Sequence, residues 1–377
     1  MIDATRTKPV QQTEPKIQTK STSTLALTWR RFRRNTLAQI GGTFVILLFI
    51  VTLFAPFFTP YNPTQTQLDM VYVPPQRVHF IDSEGRFHAR PFTYTLIPDI
   101  DPDTWARIYR EDTSKLYKLN FFAPGWDYKL LNIIPTNLHL VSVQEGGSLF
   151  LLGTDKLGRD LLSLIIFGAR ISVGIAVFGS LVSAFLGSVI GAASGYYGGI
   201  FDNVTQRVSE LLLSFPTLPL FMAVSVAIPV EWPPLGVFFG IMMIFALLGW
   251  PTLAREVRGK VLSYREEEFV MAAHAAGATG PYIIFHHILP NVISHIIVIL
   301  TISVPELILA EGALSFLGLG IQPPLVSWGV LLHDATTLET LGQNPWIMLP
   351  GLAILLTVLA FNFLGDGLRD AIDATTR

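Results

Sequence analysis

Six stretches of roughly twenty apolar residues set the limits on what this chain can fold into. A helix that covers a ~30 Å hydrocarbon core needs about 20 predominantly apolar residues. Thr36–Phe57, Ile171–Gly191, Leu211–Val230, Leu235–Leu253, Ile293–Leu309 and Trp346–Gly365 each come close to that length, and the first carries no charge. A soluble domain is about a quarter charged, whereas this chain of 377 residues is 14% charged and 50% hydrophobic. Its mean hydropathy is +0.48. The expected fold class is therefore an all-α integral membrane protein with six transmembrane helices. Pro216 and Pro219 in the third stretch, and Pro305 and Glu306 in the fifth, predict kinked, internal helices whose freed backbone groups are satisfied by neighbours. A net charge of −2 gives no sign of a nucleic-acid binder, and the absence of cysteine excludes disulfides, thiolate metal sites and thiol nucleophiles.

Basic residues orient the spans. Arg30, Arg31, Arg33 and Arg34 precede the first, Arg255, Arg258, Lys260 and Arg265 lie between the fourth and fifth, and Arg369 follows the last. Both termini and residues 254–292 are expected in the cytoplasm, and residues 58–163 outside. The chain divides into a cytoplasmic tail with an interfacial helix at Trp29–Asn35 (1–35), a first span (36–57), an extracytoplasmic insertion (58–163), a core with five more spans (164–370) and a short tail (371–377). Met1–Ser23 is polar and reads as a disordered tail. The insertion reads as a small α+β lobe. Its signals are a hairpin turning at Asp82–Gly85, a second hairpin pairing LHLVSV with SLFLL around Gln144–Gly147, and a helix in DPDTWARIYRED capped by Asp101.

The segment Arg265–Asn291, REEEFVMAAHAAGATGPYIIFHHILPN, is the most informative. Glu266–Ala276 predicts an Ala-rich helix with acidic residues at its start, where the helix dipole favours them. Gly277 ends it, Gly280-Pro281 breaks the chain, and a second short helix leads to Pro290, where the next span begins. The small side chains of Ala272, Ala273, Ala275 and Ala276 leave room for a partner to approach; the plain alternative is a surface connector.

In this spacing the segment resembles the "EAA" loop of ABC importer permeases, in which Glu-Ala-Ala, a Gly four positions after the second Ala, and a later Leu-Pro recur. Ala272, Ala273, Gly277, Leu289 and Pro290 fill those places, and Met271 stands where the family has Glu. The resemblance implies that these residues form the coupling helix that docks on an ATP-hydrolysing subunit. Leu152–Ser163, Gly168–Val173, Gly195–Leu220 and Glu311–Gly329 are similar to signatures of the C-type subunit of the dipeptide/oligopeptide permeases. The likeness covers Leu152 to about Asp370 and the first span.

By this resemblance the expected molecule is a six-helix permease of the type I importer kind in the bacterial cytoplasmic (inner) membrane, forming half of a path for di- and oligopeptides. The implied partners are a homologous second permease subunit, two ATP-binding subunits and an extracytoplasmic substrate-binding protein, with no nucleic acid. The chain itself would catalyse nothing and hold no cofactor or metal, ATP and Mg being bound by the partner subunits. Nickel, glutathione, opine-like compounds or oligosaccharides are alternative cargoes for the same machinery. A secondary transporter, the alternative from another class, often shows inverted repeats and ion-coupling residues at the midplane, and the spans show no repeat and few charges.

The remaining candidates have plainer readings. Asp155 reads as the cap of the helix that follows it, and Asp160 as the partner of Arg159 or Arg170. Gly195, Gly198 and Gly199 read as a tight turn, since no Lys-Ser/Thr comes after them to make a phosphate cradle. His274, His286 and His287 are a metal cluster or, more plainly, loop histidines. Glu306 and Glu311, near the outer end of the fifth span, are candidates for gating or pathway residues, because intramembrane carboxylates are costly and usually functional; the plain alternative is a hydrated carboxylate at the interface.

Overall fold

The computed structural model describes residues 29–100, 102, 107–229 and 231–373. The readings of Met1–Ser23 as a tail and of Asp101 as a cap lie outside the described residues. Five helices are long and apolar enough to span: Thr36–Leu53 (α1), Leu161–Tyr197 (α2), Pro234–Tyr264 (α5), Gly280–Phe316, whose main part is Leu289–Phe316 (α7), and Pro345–Ile372, whose main part is Leu349–Asp373 (α8). The expected third span, Leu211–Val230, is not one rod. Gly199–Leu213 (α3) and Thr217–Ser225 (α4) meet at 90°, because Pro216 cannot continue the preceding helix.

Helix contacts show which ends lie together. Along α2 and α5, Gly179 faces Phe245, Gly187 faces Leu253 and Gly195 faces Val261, so the two helices run parallel. The chain must therefore return across the bundle between them. It does so through α4 and residues 226–233, with Phe221 stacked near Phe245 at 4.6 Å and Ile228 beside Gly240. The bent pair thus completes the sixth crossing that length alone leaves open. In α7, Glu311 meets Ser172 and Leu307 meets Gly179, antiparallel to α2; α8 is antiparallel to α7 through Gly365–Ile302 and Gly312–Ile354. Ala38 lies on Gly367 and Gly41 on Phe363. One end of the bundle, here the near end, holds the start of α1, the ends of α2, α5 and α8, and the start of α7. The far end carries the sheet.

Small residues permit the close α2–α5 approach. A Cβ on Gly187 would stand 2.9 Å from the Trp250 carbonyl oxygen, and one on Gly195 2.9 Å from that of Arg258. This is the small-residue packing of membrane helices. Gly195 therefore belongs to a helix face, not to the expected turn; Gly198 and Gly199, with φ of 66° and 62°, do make the turn.

The insertion is a four-stranded antiparallel sheet, His79–Ile81 (β1), Phe87–Ile100 (β2), Arg107–Leu130 (β3) and Ile134–Val143 (β4), in sequence order. The hairpin at Asp82–Gly85 forms as expected: the Gly85 N–H donates to the Asp82 carbonyl at 3.0 Å. Asp82's carboxylate is held below the usual range by His88 first, then by the Arg86 backbone and side chain. Two expectations fail. Arg107–Asp112 is strand, not helix, since it pairs residue by residue with β2, Ile100 to Arg107 through Thr95 to Asp112; cross-strand packing overrides local helix signals. Ser148–Leu152 is not a strand, because β4 pairs with β3 and the Gln76 side-chain and backbone groups take the backbone of buried Phe150 at 3.0 and 2.8 Å. The only helical turn described in the lobe is Leu68–Met70.

The two aspartates before α2 exchange their expected roles. Asp160 is the N-cap, accepting from the Ser163 N–H at 2.8 Å. Asp155 accepts from Arg159 Nε at 2.8 Å and from the Leu157 and Arg159 backbone N–H groups, folding the loop on itself.

Candidate functional site

Residues 265–288 hang from the near end as one packed piece. Helix Glu268–Ala275 (α6) is two residues shorter at its start than the sequence suggests, and ends in a left-handed cap. Gly277 has φ +83°; its N–H donates to the His274 carbonyl at 3.0 Å and the Ala278 N–H to that of Ala273 at 3.1 Å. This paired-bond Schellman motif needs a positive φ that glycine adopts without strain. The expected second short helix does not stop at Pro290. Helix Gly280–Ile283 passes through a π-turn at Ile284–Ile288 directly into α7. Pro290 has no N–H to give, and Asn291 Nδ2 donates to the His287 carbonyl at 2.6 Å.

The piece is clamped to three spans. Val270, Ile283, Ile284 and Ile288 are buried against Ala192 of α2, Val257 and Val261 of α5, and Val292 of α7. Ala273, Ala278 and Leu289 pack on the rim of that cluster. Outside, Phe269, Met271, Tyr282 and Phe285 are 39–56% exposed, and Ala272, Gly277 and Pro290 are exposed too, beside the exposed Glu266, Glu267, Glu268, His274 and His286. The structure thus brings together all six expected coupling residues, with Ala273 and Leu289 on the inner side and the other four outside. The sequence reading missed Phe269, Tyr282 and Phe285, although aromatic residues in an otherwise polar loop signal a covered surface. His286 stacks on Tyr282 at 4.2 Å.

Beside this piece, Asp202 of α3 takes Arg258 of α5 bidentately, at 2.6 Å through one nitrogen, and also accepts from Ser194 of α2. A bidentate guanidinium–carboxylate pair fixes direction as well as distance. In sequence, Arg258 was read only as a basic residue orienting the spans, and Asp202 was not singled out.

A cavity of about 900 Å³ runs inward from the near end between α2, α4, α5, α7 and α8. Phe221, Phe245, Leu253 and Leu307 give it apolar wall, Ser180, Thr217 and Ser303 hydroxyls, and Glu256, Lys260, His295, Glu306 and Arg369 charge. The two candidate carboxylates part company here. Glu306 faces the cavity. Glu311 is fully buried, accepting from Ser172 Oγ at 2.6 Å and Ser315 Oγ at 2.7 Å, while Ser172 Oγ accepts from the Trp328 N–H at 3.1 Å. Glu311 therefore ties α2, α7 and the helix Trp328–His333 together and is not hydrated at an interface.

A helical bundle with a clamped protruding helix at one end and a cavity of mixed apolar and polar lining opening toward that end has the architecture of a membrane passage. The chain belongs to the family described as binding-protein-dependent transport system inner membrane component, whose family model matches residues 187–377. The N-terminal transmembrane domain of oligopeptide transport permease C matches residues 23–75. The chain is 41% identical over 59% of its length to the dipeptide transport system permease protein of Alkalihalophilus pseudofirmus, covering 70% of that protein. The oligopeptide transport system permease protein of Bacillus subtilis is 30% identical, over 96% of this chain and 93% of its own. The glutathione transport system permease protein of Pectobacterium atrosepticum is 33% identical over 98% and 97%. The chain is thus the permease subunit of an ABC importer.

Proposed function

We propose that this chain forms one half of the passage through which a bacterial ABC importer moves peptides, delivered by an extracytoplasmic substrate-binding protein, across the cytoplasmic membrane. A homologous permease completes the passage and two ATP-binding subunits drive it, holding ATP and Mg themselves. The observation that carries this reading is the protruding α6 piece, clamped to α2, α5 and α7 and exposing an aromatic and alanine face. A partner that pushes on Met271, Ala272 and Gly277 moves the near ends of three spans at once, through the packing of Ala273 and Leu289, and so changes the width of the cavity that those spans line. The near end and both termini are cytoplasmic on this reading, in keeping with the basic residues. The peptide cargo is supported by relatives named for dipeptide and oligopeptide transport. A relative named for glutathione transport, matching nearly the full length, supports that tripeptide as a second cargo.

The test is uptake by the reconstituted complex, supplied with its binding protein and a mixture of di- and oligopeptides and glutathione. ATP-dependent accumulation of peptides is expected. Uptake driven by an ion gradient without ATP overturns the reading. The absence of cysteine allows single cysteines at Ser83 and Ser263 to report orientation: they should label from opposite faces, and labelling from one face overturns the assigned topology.

A further inference from the structure

The cavity holds one ionisable group alone at its deep end. Glu306 projects from α7 into the cavity wall, and no hydrogen-bond or ion-pair partner is found for it among the described residues. Glu306 is exposed toward the cavity, so its carboxylate is open to a cationic group entering the passage. The other ionisable residues of the wall, Glu256, Lys260, His295 and Arg369, lie toward the near end, and Glu256 already lies 3.0 Å from His295 Nε2. From His295 to Glu306 is 306 − 295 = 11 residues, about 16 Å of helix. At the level of Glu306, on antiparallel α2, is Ser180: its neighbour Gly179 packs on Leu307, the residue after Glu306. Ser180 also lines the cavity, is 1% exposed, and its hydroxyl has no partner. The deep end therefore offers a carboxylate and an unused hydroxyl at one level, and no cation, while Lys260 and Arg369 place positive charge toward the mouth.

We propose that Glu306 and the Ser180 hydroxyl form a subsite for the protonated amino end of a peptide in transit. An ammonium group has three donors, and a carboxylate and a hydroxyl are complementary acceptors for it. The cavity then orders a zwitterionic peptide, amino end inward at Glu306 and carboxylate toward the Lys260 end. A passage with an acceptor at one end and positive charge at the other suits short peptides with both ends free. Glu306 is on this view a specificity-determining residue.

The inference rests on the peptide reading, and the experiment separates the two. Uptake by the complete complex is measured at saturating loaded binding protein for one short peptide with a free amino end and for its N-acetylated form. Glu306→Gln should slow translocation of the free peptide about tenfold, in line with a lost charge-assisted hydrogen bond, and leave the acetylated peptide unaffected. Glu306→Asp should recover most of the rate, and Ser180→Ala should cost a smaller factor in the same direction. Equal slowing of both peptides, or unchanged uptake of the free one, overturns the subsite while leaving the peptide reading in place. A wild-type complex that moves no peptide overturns both.

Discussion

Both ends of this bundle pack apolar side chains, but they differ in what reinforces that packing. At the far end, Glu311 is buried with its serine partners and reaches across α2, α7 and the helix Trp328–His333 by hydrogen bonds of 2.6–2.7 Å. Such bonds, out of water, tolerate little displacement, because each broken one strands a desolvated group. At the near end the main attachment is apolar, the cluster around Val257, Val261, Ile284 and Ile288, helped by the Asp202–Arg258 pair, whose side chains keep 14% and 27% of their exposure. Apolar contacts are non-directional, so helices can shift there and stay packed. On the proposed reading, one end holds and the other is the end that moves.

Paired truncations test that contrast most severely. Glu311→Ala should destabilise the detergent-solubilised complex by about 3 kcal/mol or more, because it leaves two buried serines without acceptors and opens a void. Asp202→Ala should cost about 1 kcal/mol, since a partly exposed pair is screened, and should act on coupling: ATP hydrolysis stimulated by loaded binding protein would drop more than thermal stability. Thermal unfolding and stimulated ATPase, measured on both variants, are sufficient. Equal losses of stability at the two ends would break the comparison.

Next in size is Gly277→Val. The φ of +83° at Gly277 is one that a β-branched residue adopts at a cost of about 1–2 kcal/mol, yet an added Cβ there meets nothing within 4 Å. Insertion and assembly should therefore stay near normal while the turn after α6 is re-aimed. Uptake should fall by at least tenfold, read as ATP-dependent accumulation at equal membrane expression. Full ATP-coupled uptake in this variant would remove the α6 piece from the coupling role.

How much of this was legible in sequence depends on the kind of interaction involved. The apolar runs and the Gly277 stop are local signals, and both appear where expected. The Asp82–Gly85 turn is local as well. What escaped was decided between distant residues. Arg107–Asp112 has helical composition, but β2 claims its backbone. Asp155 and Asp160 both have capping chemistry, and only the actual start of α2 at Leu161 assigns the cap. Glu306 and Glu311 looked alike five positions apart; the serines that bury one of them lie 139 residues upstream and four downstream. The break of the third span was half visible, since Pro216 and Pro219 announced a kink but not its 90° angle.

The smallest expected effect sharpens what the near end presents to its partner. Met271 stands where the family pattern has Glu, and it is 56% exposed in the middle of α6. Glu and Met have nearly the same helix propensity, so Met271→Glu should leave α6 intact and change uptake by less than about twofold. That outcome means the partner reads the shape of the Ala272–Ala275 face and the neighbouring aromatics Phe269 and Phe285, with position 271 at its wet rim. A loss of tenfold or more, with ATPase subunits still attached, would mean that Met271 itself is buried by the partner, where a charge would be desolvated without a mate. Measuring ATPase retention beside uptake separates the two, because a rim residue changes neither, while a buried one changes coupling first. The exposed aromatic surface at 39–52% would then extend through Met271 as one continuous apolar contact, set against the buried polar lock at the other end.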